Sequence, residues 1–123
     1  EKASKVKPNN NMSAVYRVDI YDKSILYTGD INIYQENAYL SYSGNMNCDI
    51  LSVAHHGSNT SSHTRFLNLC SPDYSIVSVS AKSKEHPNGR IIERLQNISS
   101  VLMTSKCSTI TFLFNDKGYK RIK

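Results

Sequence analysis

Three groups of residues in this 123-residue chain carry side chains suited to binding a metal ion or moving a proton. They are Asp30 within Thr28-Gly29-Asp30, the pair His55-His56 within His55-His56-Gly57-Ser58, and His86 before Pro87. A carboxylate and one or two imidazoles that converge can hold a divalent ion such as Zn²⁺ or Mn²⁺. A carboxylate can also bridge two metals a few Å apart, in a site that activates water and stabilises a leaving oxygen. The plainer alternative is that Asp30 caps the helix after it and the histidines are ordinary loop residues. Composition and spacing leave both open.

The elements that must position these residues follow from hydrophobic patterning. Residues 13–20 alternate in polarity and predict a strand; 21–24 predict a turn, and 25–28 a second strand that closes a hairpin. Gly29 permits a tight bend at its end, from which Asp30 projects. Residues 34–42 predict a helix with Tyr34, Ala38 and Tyr42 on one face and Glu36 and Asn37 outside, closed by Gly44-Asn45. Residues 48–54 form a near-continuous apolar run, which suits a strand covered on both faces. That strand ends in the two histidines.

Thr60, Ser61 or Ser62 is expected to cap the next helix, which runs to about Cys70 with Phe66, Leu67 and Cys70 on one face. A strand over 74–79 leads into a polar loop over 80–84. Pro87 suits the first turn of a helix carrying Ile91, Leu95 and Ile98. A short strand at 101–103 and a hairpin of 109–114 and 119–122 complete the chain. Residues 1–12, with Pro8 and Asn9-Asn10-Asn11 as breakers, read as a flexible leader, leaving 13–123 as the folded domain. The order β-β-α-β-α-β-α-β-β-β predicts a layered α/β domain. Ligand groups in such folds gather outside the carboxyl ends of the strands. Asp30, His55-His56 and His86 all follow strand ends.

Composition narrows the function classes. No apolar run reaches the roughly 18 residues of a membrane span, and the polar residues 1–12 do not resemble a signal peptide. The three cysteines are odd in number and form no CxxC, which argues against a disulfide scaffold or zinc knuckle and for free, half-buried thiols. The net charge of +5 comes from the two ends, +2 over residues 1–7 and +3 over 116–123. A basic end is weak evidence for a nucleic-acid partner and equally suits a solubilising tail.

The motifs taken together resemble a known family. An Asn9-Asn10-Asn11-Met12-Ser13 lead-in, an alternating strand, Thr28-Gly29-Asp30, His55-His56-Gly57-Ser58 with Thr60-Ser61-Ser62, and His86-Pro87 occur in that order over about residues 9–114. This resembles the metallo-β-lactamase superfamily and, more narrowly, the hydrolase domain of ComEC-type DNA-uptake (competence) proteins. The resemblance implies a mixed sheet with helices packed on it, the C-terminal half of an αββα sandwich. It implies that Asp30 bridges metals, that His55 is the late metal-binding histidine (His56 if the register shifts by one), and that His86 lies by the substrate, contacting a phosphate or the activated water. Ser58 would bind a phosphate of the substrate.

The departure from the family is as informative. The superfamily's HxHxDH motif is absent, and no histidine precedes His55. Either the first half of the domain lies outside this chain, or the chain is a divergent remnant. The first option makes it part of a metal-dependent hydrolase domain, phosphodiesterase- or nuclease-like, using one or two Zn²⁺ or Mn²⁺ ions and a metal-activated water. This chain alone is then expected to be inactive and to bind metal weakly or not at all. The implied partners are DNA or another phosphodiester, the missing N-terminal half, and a second copy through an uncovered apolar face. The implied location is a soluble domain of a bacterial membrane protein. The alternative is a non-catalytic remnant, or a DNA- or partner-binding module of the same fold.

Overall fold

Alternation of Val15, Arg17 and Asp19 with Tyr16, Val18 and Ile20 does form a strand, β1 (Tyr16–Ile20), which pairs antiparallel with β2 (Lys23–Tyr27) through a turn at Tyr21-Asp22. The computed structural model describes residues 13–42 and 44–123, so the expected leader lies outside the described residues. From β2 onward helices alternate with strands: α1 (Ile33–Tyr39), β3 (Ile50–Ser52), α2 (Thr64–Cys70), β4 (Tyr74–Val77), α3 (Gly89–Gln96) and β5 (Ser100–Met103). A short α4 (Thr104–Cys107) and a hairpin of β6 (Phe112–Asn115) and β7 (Gly118–Arg121) follow.

The main sheet runs β1-β2-β3-β4-β5, antiparallel at β1–β2 and parallel elsewhere. It is a mixed sheet with helices packed on it, in a mixed α/β fold. Period-two geometry sends Leu26, Leu51 and Val77 to one face, where they join Phe66, Leu67, Ile91 and Leu95 of the helices in one core. Ile25, Ile50 and Tyr74 share the other face. Phe112 of the β6–β7 hairpin packs edge-on against Tyr74 there, with ring centroids 5.0 Å apart. The short apolar β3 is buried on both faces, Ile50 and Leu51 each being 1% exposed. The hairpin leaves a groove of about 240 Å³ beside Tyr27, Ile50 and Ile76.

Four local expectations are corrected. Helix α1 turns a different face inward: Glu36 is fully buried, whereas Tyr34, Ala38 and Tyr42 are exposed. A buried carboxylate that finds backbone donors outcompetes two exposed tyrosines for the inner face. None of Thr60, Ser61 and Ser62 caps α2; its N-cap is His63, without a side-chain cap bond. Pro87 precedes the N-cap of α3, which is Asn88, accepting the Arg90 N–H at 3.0 Å. Ile98 falls beyond α3 and is exposed, while Ile91 and Leu95 are buried.

The three cysteines are free, with Cys48 and Cys70 wholly buried. Contact with the Cys48 thiol and burial push the Cys70 thiol up, so the pair behaves as core. No helix among the described residues is long and apolar enough to cross a membrane.

Candidate functional site

Two hydrogen bonds join the end of β2 to the end of β3. Thr28, fully buried, donates its hydroxyl to the Ser52 carbonyl at 2.6 Å. The His55 N–H donates to the Gly29 carbonyl at 2.9 Å. Asp30 and the histidines therefore leave the sheet side by side. Asp30 does not cap α1. Asn32 does, accepting the Tyr34 N–H at 2.9 Å while Gln35 accepts the Asn32 N–H at 3.1 Å, a reciprocal capping box. The capping alternative for Asp30 is thereby overturned.

Beyond Val53 the chain makes one tight turn over Ala54–Gly57. His55 (φ 49, ψ 42) and His56 (φ 56, ψ 25) both take left-handed conformations, which cost non-glycine residues energy and collect at functional sites. Gly57 follows at φ +78, where a Cβ would lie 2.8 Å from Cβ of Pro87. Only glycine admits that approach. The Asn88 N–H donates to the Gly57 carbonyl at 2.9 Å, fastening the segment after β4 to the histidine turn. The His86 ring centroid comes to 5.5 Å from that of His55 and 6.4 Å from that of His56.

The polar partners of His56 fix its chemistry. Its Nδ1 lies 2.7 Å from the Ser78 carbonyl. A carbonyl can only accept, so Nδ1 carries the hydrogen, and in the neutral ring Nε2 keeps its lone pair. That Nε2 lies 3.7 Å from Oδ1 of Asp30. Two acceptors at this separation repel unless a proton or a cation stands between them. His55 has its Nδ1 3.3 Å from the Thr60 hydroxyl, which in turn lies 3.0 Å from Oγ of Ser58. Ser58 is 3% exposed, and its Oγ also accepts the Thr60 N–H at 3.3 Å.

A cleft of about 450 Å³ opens beside this group, lined by His56, Ser78, Ser80, Ser83, His86 and Thr104 among others. Ser58 is not among its lining residues. The loop that supplies Ser80 and Ser83 also carries Lys82 and Lys84, both exposed. The donor set fits a divalent cation in part. A carboxylate oxygen and an imidazole lone pair at 3.7 Å can share one ion, given bonds of about 2.0–2.2 Å to each. The Ser78 carbonyl behind His56 is the usual outer partner of a metal-binding histidine. Nδ1 of His86 is buried without a hydrogen-bond partner. Among the described residues, however, no three His, Cys, Asp or Glu side chains are grouped to hold a metal.

The structure adds residues that pattern reading missed. Thr28 carried a signal in its place beside Gly29-Asp30 at a strand end. Thr104 carried none: its hydroxyl accepts the Val79 N–H at 2.8 Å and donates to the Val79 carbonyl at 2.9 Å, a pairing visible only in three dimensions. Glu36 carried a misleading one, since a lone glutamate in a helix usually faces water.

Sequence comparison finds relatives for this chain. It is 37% identical over 90 residues to "Competence protein ComA" of Neisseria gonorrhoeae, covering 72% of the chain and 13% of the relative. It is 31% identical over 103 residues to "Recombination protein 2" of Haemophilus influenzae, covering 83% of the chain and 13% of the relative. These relatives indicate a competence-protein family. The "ComE operon protein 3" of Bacillus subtilis is 29% identical over 110 residues, 88% of the chain and 14% of the relative. The chain thus spans about one eighth of the competence proteins it matches. No protein-family model matches it.

Proposed function

We propose that the chain is part of a metal-dependent hydrolase domain of a ComEC-type DNA-uptake protein, of the metallo-β-lactamase superfamily, acting on a phosphodiester such as DNA. The observation that carries this reading is the approach of the His56 lone pair to the Asp30 carboxylate, with His55 and His86 around it. Asp30 and His56 would hold the cation, Zn²⁺ or Mn²⁺, with further ligands from outside this chain. A bound cation supplies Lewis acidity and lowers the pKa of water.

The chain's own residues do the remaining work. Asp30 carries the negative charge that draws a cation to the ends of β2 and β3. The Ser78 carbonyl holds His56 in one tautomer. His86 lines the cleft and can donate to a phosphate oxygen. Lys82 and Lys84, exposed on the loop that supplies Ser80 and Ser83 to the cleft, offer positive charge to an anionic substrate. Ser58 and Thr60 hold His55 from behind.

The test is hydrolysis of bis(p-nitrophenyl) phosphate by the complete protein with Mn²⁺ or Zn²⁺. Asp30→Ala is expected to abolish it; an unchanged rate would sink the reading. A second reading is a non-catalytic, DNA- or partner-binding module of the same fold, to which the exposed Lys82 and Lys84 would contribute positive charge. It predicts DNA or partner binding that survives Asp30→Ala, with no turnover in the parent protein.

A further inference from the structure

The segment that carries the histidines ends at Ser62-His63, where the chain enters α2. Ser62 takes a left-handed conformation, φ 58, and is buried. Three backbone groups at this junction are held by side chains from other elements. The two carboxylate oxygens of Glu36, on α1, accept the N–H groups of Ser62 and His63, the latter at 2.8 Å. The guanidinium of Arg94, on α3, donates to the Ser62 carbonyl at 2.7 Å. A further backbone bond, Ile33 N–H to the Thr60 carbonyl at 2.9 Å, also fastens α1 to the segment.

The origin of these two helices gives the junction its meaning. Helix α1 begins at Ile33, three residues after Asp30, and α3 begins at Gly89, two residues after Pro87. The junction is therefore where the elements following two arms of the candidate site both grip the third. We propose that Glu36 and Arg94 are positioning residues, which fix the His55-His56 turn relative to Asp30 and His86 by clamping the Ser62-His63 backbone between α1 and α3. Glu36 serves α2 as well: its charge replaces the missing side-chain cap, satisfying donors at the helix N-terminus.

A buried carboxylate on a helix face opposite exposed tyrosines is otherwise a poor use of a core position. Its two oxygens meet two backbone donors, and Arg94 lies close enough to lower its charge's burden. Each bond is charge-assisted, the stronger kind. The left-handed turn at His55 and His56 lies upstream in the same segment. It keeps its geometry only while both ends of the segment are held: the upstream end by the Gly29 carbonyl, the downstream end by this clamp.

This inference rests on the reading of Asp30 and the histidines as one site, but its test needs neither metal nor turnover. Each histidine of the full chain is labelled with diethyl pyrocarbonate and read by mass spectrometry, with thermal melting in parallel. In Glu36→Gln and in Arg94→Ala, the labelling rates of His55 and His56 are expected to rise about five-fold or more, the population change of one lost charge-assisted hydrogen bond. Arg94→Lys, which keeps a donor and the charge, is expected to return them toward the parent rates.

If Glu36→Gln does not fold, Arg94→Ala and Arg94→Lys decide the matter. Unchanged labelling at His55 and His56 in a folded variant overturns the proposal. So does a rise that the melting curve accounts for at all four histidines equally. Altered labelling in a protein that proves to have no hydrolase activity keeps the clamp and removes only the function proposed above.

Discussion

In the neutral imidazole, Nε2 of His56 and Oδ1 of Asp30 face each other across 3.7 Å as two acceptors, because the Ser78 carbonyl takes the hydrogen on Nδ1. This favours His56 over His55 as the partner of Asp30. His55 presents its Nδ1 to the Thr60 hydroxyl. The expectation is therefore a hierarchy. His56→Ala in the complete protein lowers phosphodiester turnover by at least about a hundred-fold, the upper range for a group that merely supports a ligand. His55→Ala lowers it less. Steady-state rates for the two variants, measured side by side, check the order.

Gly57 is constrained by both its φ of +78 and the 2.8 Å approach to Pro87. Gly57→Ala should destabilise the fold by about 1–3 kcal/mol, from left-handed strain and local overpacking. Gly89→Ala is the control: a Cβ there meets nothing within 4 Å at the start of α3, so that variant should be neutral or stabilised by up to about 1 kcal/mol. Urea unfolding of both variants measures the difference.

Thr28 joins β2 to β3 from a fully buried position. Thr28→Val keeps its shape and removes the hydroxyl that serves the Ser52 carbonyl. A loss of about 1–2 kcal/mol is expected, since a buried acceptor loses its partner. Equilibrium denaturation reads it directly.

Burial pushes the Glu36 carboxyl above its ordinary value, against the opposing pull of the His63 and Ser62 N–H groups and of Arg94. The folded state therefore binds the proton more readily than the unfolded state. In that pH interval the contribution of Glu36 to stability is fully present below the unfolded pKa and falls as pH rises through the folded one. Melting temperature measured against pH should show this slope in the parent chain. Glu36→Gln, which cannot titrate, should lack it. Parallel curves for the two proteins would contradict the assignment.

Much of this architecture is written locally. The double-sided apolar run of β3 and the Ile91–Leu95 spacing of α3 each reflect a face that must be buried, and each formed within its expected range; β1 formed from its alternation although none of its residues is buried. The placement of Asp30 and the histidines at adjacent strand ends was legible for the same reason: glycines and apolar runs mark where strands stop. Helix α1 departs from its sequence pattern because its inner face is held by Glu36, whose partners are backbone groups 26 and 27 residues away. No periodicity records a long-range hydrogen bond. The short α4 went unseen, as four residues give too little pattern to count. Which of the two rings reaches the Ser78 carbonyl was not legible in the motif, because it depends on the geometry of the turn beyond β3.

The most direct test of the central claim is elemental analysis of the complete protein after exhaustive dialysis. The account predicts that the parent protein retains roughly one or two Zn²⁺ or Mn²⁺ ions per chain. It predicts that Asp30→Ala and His56→Ala each retain clearly less, while Tyr34→Ala on the exposed face of α1 retains the parent amount. A parent protein without divalent metal, or variants that hold as much as the parent, would contradict it.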